Sequence, residues 1–367
     1  MQRHDHAARD EAARRVRGAW RVHACAAAMA VGTQVFLAGV GAGMPLCLNA
    51  AWLAALASLP AAALTAAICR RALRRGLCKT GAAARVLHML LCMAFLMCAV
   101  FAVVALVSLA EHSLLPQTRA AHSVAMTLAA VFLCALSGEA GAPRLAFLLR
   151  AMLPVLLAVL CGVSLPAGEV QGLFPLLGAG AGPLALGTAC MLGAAFPVLA
   201  LLYPPKELLR HDRDGNDSLP DTGFFVWRVL LGAAAGTALL FALVSGSTYE
   251  RIAAGNSWGE RLKIISSSRP RVGIAQMGLT MAQMMAMILL AVNMLLCARR
   301  ALGYAFAALE GKTGLTVCMV VISAASAALF FAGSDAAQAA VPLLGAALVI
   351  ALLGIWILIK KEDVHGA

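Results

Sequence analysis

The chain has 367 residues, of which 62% are hydrophobic and 13% charged, with a mean hydropathy of +0.87. Soluble domains carry about twice that share of charged residues, so the composition excludes a soluble enzyme and calls for lipid as the solvent, where each span takes roughly 20 mostly apolar residues. The net charge of +12 does not signify a nucleic-acid binder, because its Lys and Arg sit in short blocks between apolar runs, as they do at the ends of membrane spans.

In chain order, residues 1–21 are basic and mixed in charge. They read as a short cytoplasmic helix at the lipid surface, with Arg14, Arg15, Arg17 and Arg21 suited to anionic headgroups. Residues 22–360 read as one all-α polytopic domain and 361–367 as a cytoplasmic tail. Spans are predicted at roughly 22–41, 48–69, 84–110, 120–137, 145–165, 183–203, 223–245, 272–298, 314–332 and 339–359. The eighth has the composition to stay helical past Arg299 and Arg300. With the N-terminus inside, inner segments hold 23 of the 29 Lys and Arg, so both termini are expected in the cytoplasm. Five of the six outer cations lie in the connection 246–271, which is long enough for a short helix of its own. Ten spans divide into two sets of five that enter from opposite sides, the arrangement an inverted repeat requires.

Two spans carry the composition of broken helices, which expose backbone N–H and C=O groups in mid-membrane. Span 1 contains Gly32, Thr33 and Gln34, then Gly39 and Gly41, with Gly43 just beyond. Span 6 contains Gly187 and Thr188, then Gly193-Ala194-Ala195-Phe196-Pro197, where Pro197 removes a helix hydrogen bond. Close helix packing is the competing reading of such glycines. Glu139, at the inner end of span 4, has Arg144 and Arg150 as its nearest cations; it reads as an inner-surface ion pair or as a gate-linked carboxylate. Gln276, Thr280 and Gln283 share one face of span 8, as an interhelical hydrogen-bonding stripe or a ligand face. Phe101 and Phe196 are candidate apolar walls. His88 and His122 have no partner at useful spacing in the sequence.

The eleven cysteines form no CxxC pair and have no histidine at metal-ligand spacing, so they read as small buried hydrophobes, and no metal or cofactor is expected. No phosphate loop, HExxH or GxSxG motif is present. The chain therefore reads as a non-enzyme.

Residues 138–187 bring a resemblance into view. Gly138-Glu139, Arg144, Leu153-Pro154 and LFPLLGAGAGP (173–183) resemble the spore germination permease family, the B subunits of nutrient germinant receptors within the amino acid–polyamine–organocation superfamily. The length, the LLYPP stretch following Phe196 and the Glu260-Arg261-Leu262 element leading into span 8 are similar to that family as well. The resemblance implies a LeuT-like fold of two inverted five-helix repeats with spans 1 and 6 broken, and a long outer loop between spans 7 and 8. It implies recognition of a small amino acid-like germinant in the inner spore membrane, with a membrane A subunit and a lipoprotein C subunit as partners. On this reading the ligand lies between spans 1 and 6, against Gly32, Thr33, Gln34, Phe101, Gly193, Ala194, Phe196 and Gln283, with Glu139 and Arg144 as a gating pair. A stand-alone secondary transporter of amino acids or small amines is the second reading, and a non-transporting scaffold the third.

Overall fold

The computed structural model describes residues 2–74, 81–113, 117–137, 180–204, 273–332 and 345–359, together with 251, 252, 254, 255, 260, 261, 263 and 264. The predicted spans at 145–165 and 223–245, the Glu139 and Arg144 pair, and most of the LFPLLGAGAGP motif lie outside these residues.

Helix α1 runs without interruption over Gln2–Ala38, so the basic leader and the first span form one element. A π-helical turn follows at Gly39–Gly43, then a short helix α2 at Met44–Cys47 and a 3-10 turn at Leu48–Ala50. Helices α3 (Ala51–Arg74), α4 (Ala82–Ser113) and α5 (Ala120–Leu136) come next. Helix α6 (Ala181–Gly193) gives way to a 3-10 segment at Phe196–Leu202. Helices α7 (Gly273–Ala305), α8 (Lys312–Ala332) and α9 (Gly345–Ile359) complete the described elements. Span 8 does continue past Arg299 and Arg300, to Ala305. In the connection before it, residues 251, 252, 254, 260, 261, 263 and 264 are helical, as its length suggested.

Helices α4 and α7 pack along one another and form the centre. Helix α4 is apolar on every side and is buried almost throughout from Leu91 to Ala110, the pattern of a helix surrounded by others. The two run antiparallel: His88 stacks on Tyr304, and the Cys98 thiol lies close enough to Cys297 to interact electrostatically. Outside them, α5, α8 and α9 present Met126, Leu133, Val320, Phe331, Ile350 and Ile357 outward. Exposed apolar side chains in such number fit a lipid-facing surface rather than a watery one. On α7, Thr280 and Gln283 turn inward while Met277, Met281 and Met285 face out, so these two members of the polar stripe meet protein.

Close approach depends on small residues. Helix α6 packs on α2 at Gly187, where an added Cβ would run into the Cys47 sulfur. Gly193 meets Gly345 of α9, whose Cβ, if added, would stand 3.3 Å from the Gly193 Cα. Gly180 opens α6 at φ +115, ψ 171, a conformation essentially reserved for glycine, and it is the eighth residue of the LFPLLGAGAGP stretch.

The Gly187 contact is testable. Gly187→Ala should lower thermal stability in detergent by about 1–3 kcal/mol through overpacking. Cys47→Ala should restore most of the loss, since the new Cβ would then lie 3.8 Å from the remaining Cβ at residue 47. Equal loss in the single and double variants would show that the sulfur is not what the added methyl meets.

Candidate functional site

Both broken spans carry a proline four residues after a glycine at the break. Proline has no N–H, and its ring crowds the carbonyl four residues back. Pro197 stands four residues after Gly193, so the Gly193 carbonyl loses its α-helical partner, and the chain passes through Ala194 and Ala195 into the tighter 3-10 segment. Pro45 stands four residues after Gly41 in the same way, inside the π-helical and α2 region of span 1. The two sites read GAGMP (41–45) and GAAFP (193–197). Leu48, just beyond the first break, takes φ +50, a left-handed conformation that costs a leucine about 1–2 kcal/mol. Strain of this kind collects at ligand clamps and moving parts.

This placement moves the break in span 1. Gly32 and Thr33 lie inside regular α1, and the Thr33 hydroxyl donates to the Met29 carbonyl at 2.9 Å. Their backbone groups remain in the helix because no proline follows at the required spacing, and the π-helical opening falls instead at Gly39–Gly43. Gly193, by contrast, ends α6 where a break was expected, and Ala194 and Phe196 are buried at it.

The breaks lie against each other in crossed fashion. Helix α1 packs on the 3-10 half of span 6, while the π turn and α2 pack on α6. The Cys47 thiol donates to the Pro183 carbonyl at 3.6 Å, joining the C-terminal half of span 1 to the end of the LFPLLGAGAGP motif. Phe196 packs at 5.2 Å and 52° against Phe95 of α4. Phe101 lies two turns further along α4, buried in the core. Gln34 is 1% exposed; its Oε1 accepts a weak hydrogen bond from the Cys98 thiol at 3.5 Å, and its Nε2 has no partner among the described residues. A buried amide left so costs about 1–3 kcal/mol unless a water or ligand meets it.

Gln283 is also buried, with both amide atoms unpartnered among the described residues. It does not share Gln34's level. Gln34 touches Cys98, Cys98 faces Cys297, and Gln283 precedes Cys297 by 14 residues, about 21 Å along a helix. Asn293, one turn from Cys297 and with its Nδ2 unpartnered among the described residues, is nearer that level.

On the side where α1 enters lies a cluster that spacing did not reveal. His88 Nδ1 and the Tyr203 hydroxyl are joined by a 2.6 Å hydrogen bond. The same ring stacks on Tyr304 at 5.2 Å and 22°, and Tyr203 packs on Phe95 at 5.6 Å. The Tyr203 carbonyl accepts from Arg300, and His23 donates from Nε2 to the Ala200 carbonyl at 3.2 Å. His88 therefore has a partner 115 positions away, a separation beyond the reach of local spacing. On the opposite side, Arg261 donates from Nη1 to the Gly41 carbonyl at 2.7 Å and from Nε to the Gly255 carbonyl at 2.9 Å. Among the described residues no group of three or more His, Cys, Asp or Glu could hold a metal ion.

No protein-family model matches this chain, and no curated protein does. Among solved structures it is similar to Mhp1, a nucleobase-cation-symport-1 family transporter, in a closed conformation with bromovinylhydantoin bound. The TM-score is 0.58 at 14% identity, over 92% of this chain and 76% of that one. At that identity the likeness concerns architecture: this chain is an all-α, multi-pass integral membrane protein with the LeuT-like fold of Mhp1, two inverted five-helix repeats with spans 1 and 6 broken.

Pro197→Ala tests the origin of the second break. Returning an N–H to the Gly193 carbonyl should straighten span 6 and raise thermal stability, by up to the ~3 kcal/mol that an interior proline costs a helix. Hydrogen exchange at 194–198 should slow correspondingly. Unchanged exchange there would assign the break to packing rather than to proline.

Proposed function

We propose that the chain binds a small, amino acid-like nutrient in mid-membrane between the breaks of spans 1 and 6, and that it serves as the permease subunit of a germinant receptor. The observation that carries the binding reading is the pair of facing breaks, GAGMP and GAAFP, each with a glycine carbonyl released by a proline four residues later. Such ends offer partial charges of both signs without an ionised side chain, which suits a zwitterion. In this reading backbone from Gly39–Gly43 and from Gly193–Ala194 meets the polar ends of the ligand. Phe196 and Phe101 form its apolar wall, and Gln34 supplies the amide donor. Gln283 serves the outer approach, while Gly32 and Thr33 support the break from inside α1. The closed form of Mhp1, which holds bromovinylhydantoin, supports a small-molecule ligand in this architecture.

The germinant part rests on the LFPLLGAGAGP stretch, the Gly138-Glu139 and Arg144 elements and the Glu260-Arg261-Leu262 element. With it come an A subunit and a lipoprotein C subunit as partners, the inner spore membrane as location, cytoplasmic termini, and Glu139 with Arg144 as a gating pair. Binding would shift the populations of two arrangements and pass that shift to the A subunit. Similarity to a symport-family transporter favours a second reading, a secondary transporter of amino acids or small amines that works alone.

The test combines three strains with one uptake assay. Spores carrying wild-type protein, Gly39→Trp or Ala194→Trp are challenged with single amino acids, with protein level checked in their membranes. The wild-type chain alone is assayed in proteoliposomes for uptake of the same compounds. Loss of response to one germinant class at normal protein level, without uptake by the isolated chain, is the outcome expected. Uptake by the isolated chain would favour the stand-alone transporter. Full response from both tryptophan variants would remove the ligand from this site.

A further inference from the structure

We propose that Arg261 is an outer latch: it satisfies the Gly41 carbonyl that Pro45 leaves without an α-helical partner, and so pins the stretch that carries Gly255 and Arg261 against the break in span 1. Arg261 belongs to the Glu260-Arg261-Leu262 element, to which binding of a ligand assigns no task of its own. Although charged, it is only 5% exposed. A guanidinium is buried so deeply only where acceptors meet it. Two of its acceptors are backbone carbonyls on different elements, Gly255 within its own connection and Gly41 in the π turn of span 1, 220 positions away.

The first bond folds the connection upon itself. Gly255 closes a helical turn by donating to the Arg251 and Ile252 carbonyls, and a Cβ at Gly255 would stand 3.1 Å from the Arg261 Cγ. On either side, Ile252 and Ile264 are buried in the core, so the connection is fitted to the transmembrane body. The second bond reaches the break. A carbonyl near the C-terminal end of a helix carries part of the negative pole of the helix dipole, which a cation stabilises. Arginine's fixed fork serves two separate carbonyls at once, whereas a lysine ammonium on a flexible stem is not preorganised to do so. A hydrogen bond from a charged group is worth about 1.5–3 kcal/mol net, small enough to be broken without unfolding the protein. That is the property a latch needs if it is to open.

The inference rests on the reading that the ligand lies at the span 1 break, because release of Arg261 opens the outer approach to that place. Arg261 acts as a positioning residue: it shapes the Gly39–Gly43 turn rather than touching ligand.

Cys47, buried at the end of α2 beside the break, is a native reporter. In proteoliposomes, the rate of its modification by a membrane-impermeant maleimide is measured with Cys47 as the sole cysteine, in wild type, Arg261→Gln and Arg261→Lys. A second set keeps only Cys318, which is buried between α4 and α8 beside Cys92. The expected result is faster labelling of Cys47 in Arg261→Gln, by roughly 10- to 100-fold, as follows from loss of a charged hydrogen bond. Arg261→Lys should be intermediate, and it carries the test if Arg261→Gln fails to fold. Cys318 labelling should not change. Unchanged Cys47 labelling overturns the latch, and so does equal acceleration at Cys47 and Cys318, which would mean general loosening. If labelling accelerates as expected but no amino acid slows it in wild type, the latch stands and the ligand reading fails. If an amino acid protects wild-type Cys47 while the Arg261 variants label at wild-type rate, the latch alone is lost.

Discussion

In hydrocarbon a backbone carbonyl without a hydrogen bond has no water to turn to, and every interruption of a spanning helix must be answered by another part of the protein. This chain interrupts two helices by the same means, a proline set four residues after a glycine. Gly41 with Pro45 opens span 1 and Gly193 with Pro197 opens span 6. Much of the remaining architecture consists of answers to those two openings. The crossed packing of α1 on the 3-10 segment, and of the π turn and α2 on α6, keeps the freed backbone against protein and away from lipid. Glycines at 187 and 345 let the flanking helices approach closely enough to do it.

Two arginines complete this arrangement from opposite ends. Arg261 gives a hydrogen bond to the carbonyl of Gly41, and Arg300 gives one to the carbonyl of Tyr203 at the end of the broken sixth span. In both cases the acceptor is backbone of a broken span and the donor belongs to an element outside it. Arginine suits the task because it stays charged and carries several donors in a fixed plane. The break is thus flanked on one side by Arg261 and on the other by the linked rings of Phe196, Phe95, Tyr203, His88 and Tyr304. These rings form a continuous chain from the span 6 break toward the end where α1 enters.

The electrostatics of the site we propose follow from what is left out of it. Its inner wall is made of alanine, phenylalanine, cysteine and an amide, and polarity comes from helix ends and from Gln34. A site of this kind discriminates by shape and by hydrogen-bond direction more than by net charge. The buried Nε2 of Gln34, without a partner among the described residues, stands out within it, since an apolar residue of similar size would avoid the desolvation penalty.

By itself the sequence determined the class of protein, most of the span positions, the inward turn of Thr280 and Gln283, and a break at Gly193–Phe196. These are consequences of hydropathy, helical period and proline, which act over a few residues and so can be read in order along the chain. The break in span 1 was legible too, in the match of GAGMP to GAAFP, but the Gly32-Thr33-Gln34 triplet was the more conspicuous polar signal and drew the break one to two turns too early. Only the tertiary structure decided that Thr33 is satisfied by its own helix, that Gln34 and Gln283 stand at different levels, and that His88 has a partner. It also decided which group answers the Gly41 carbonyl. Those matters depend on which segments folding brings together across 64 to 220 positions, and nothing in the local pattern of residues encodes a hydrogen bond between groups so far apart.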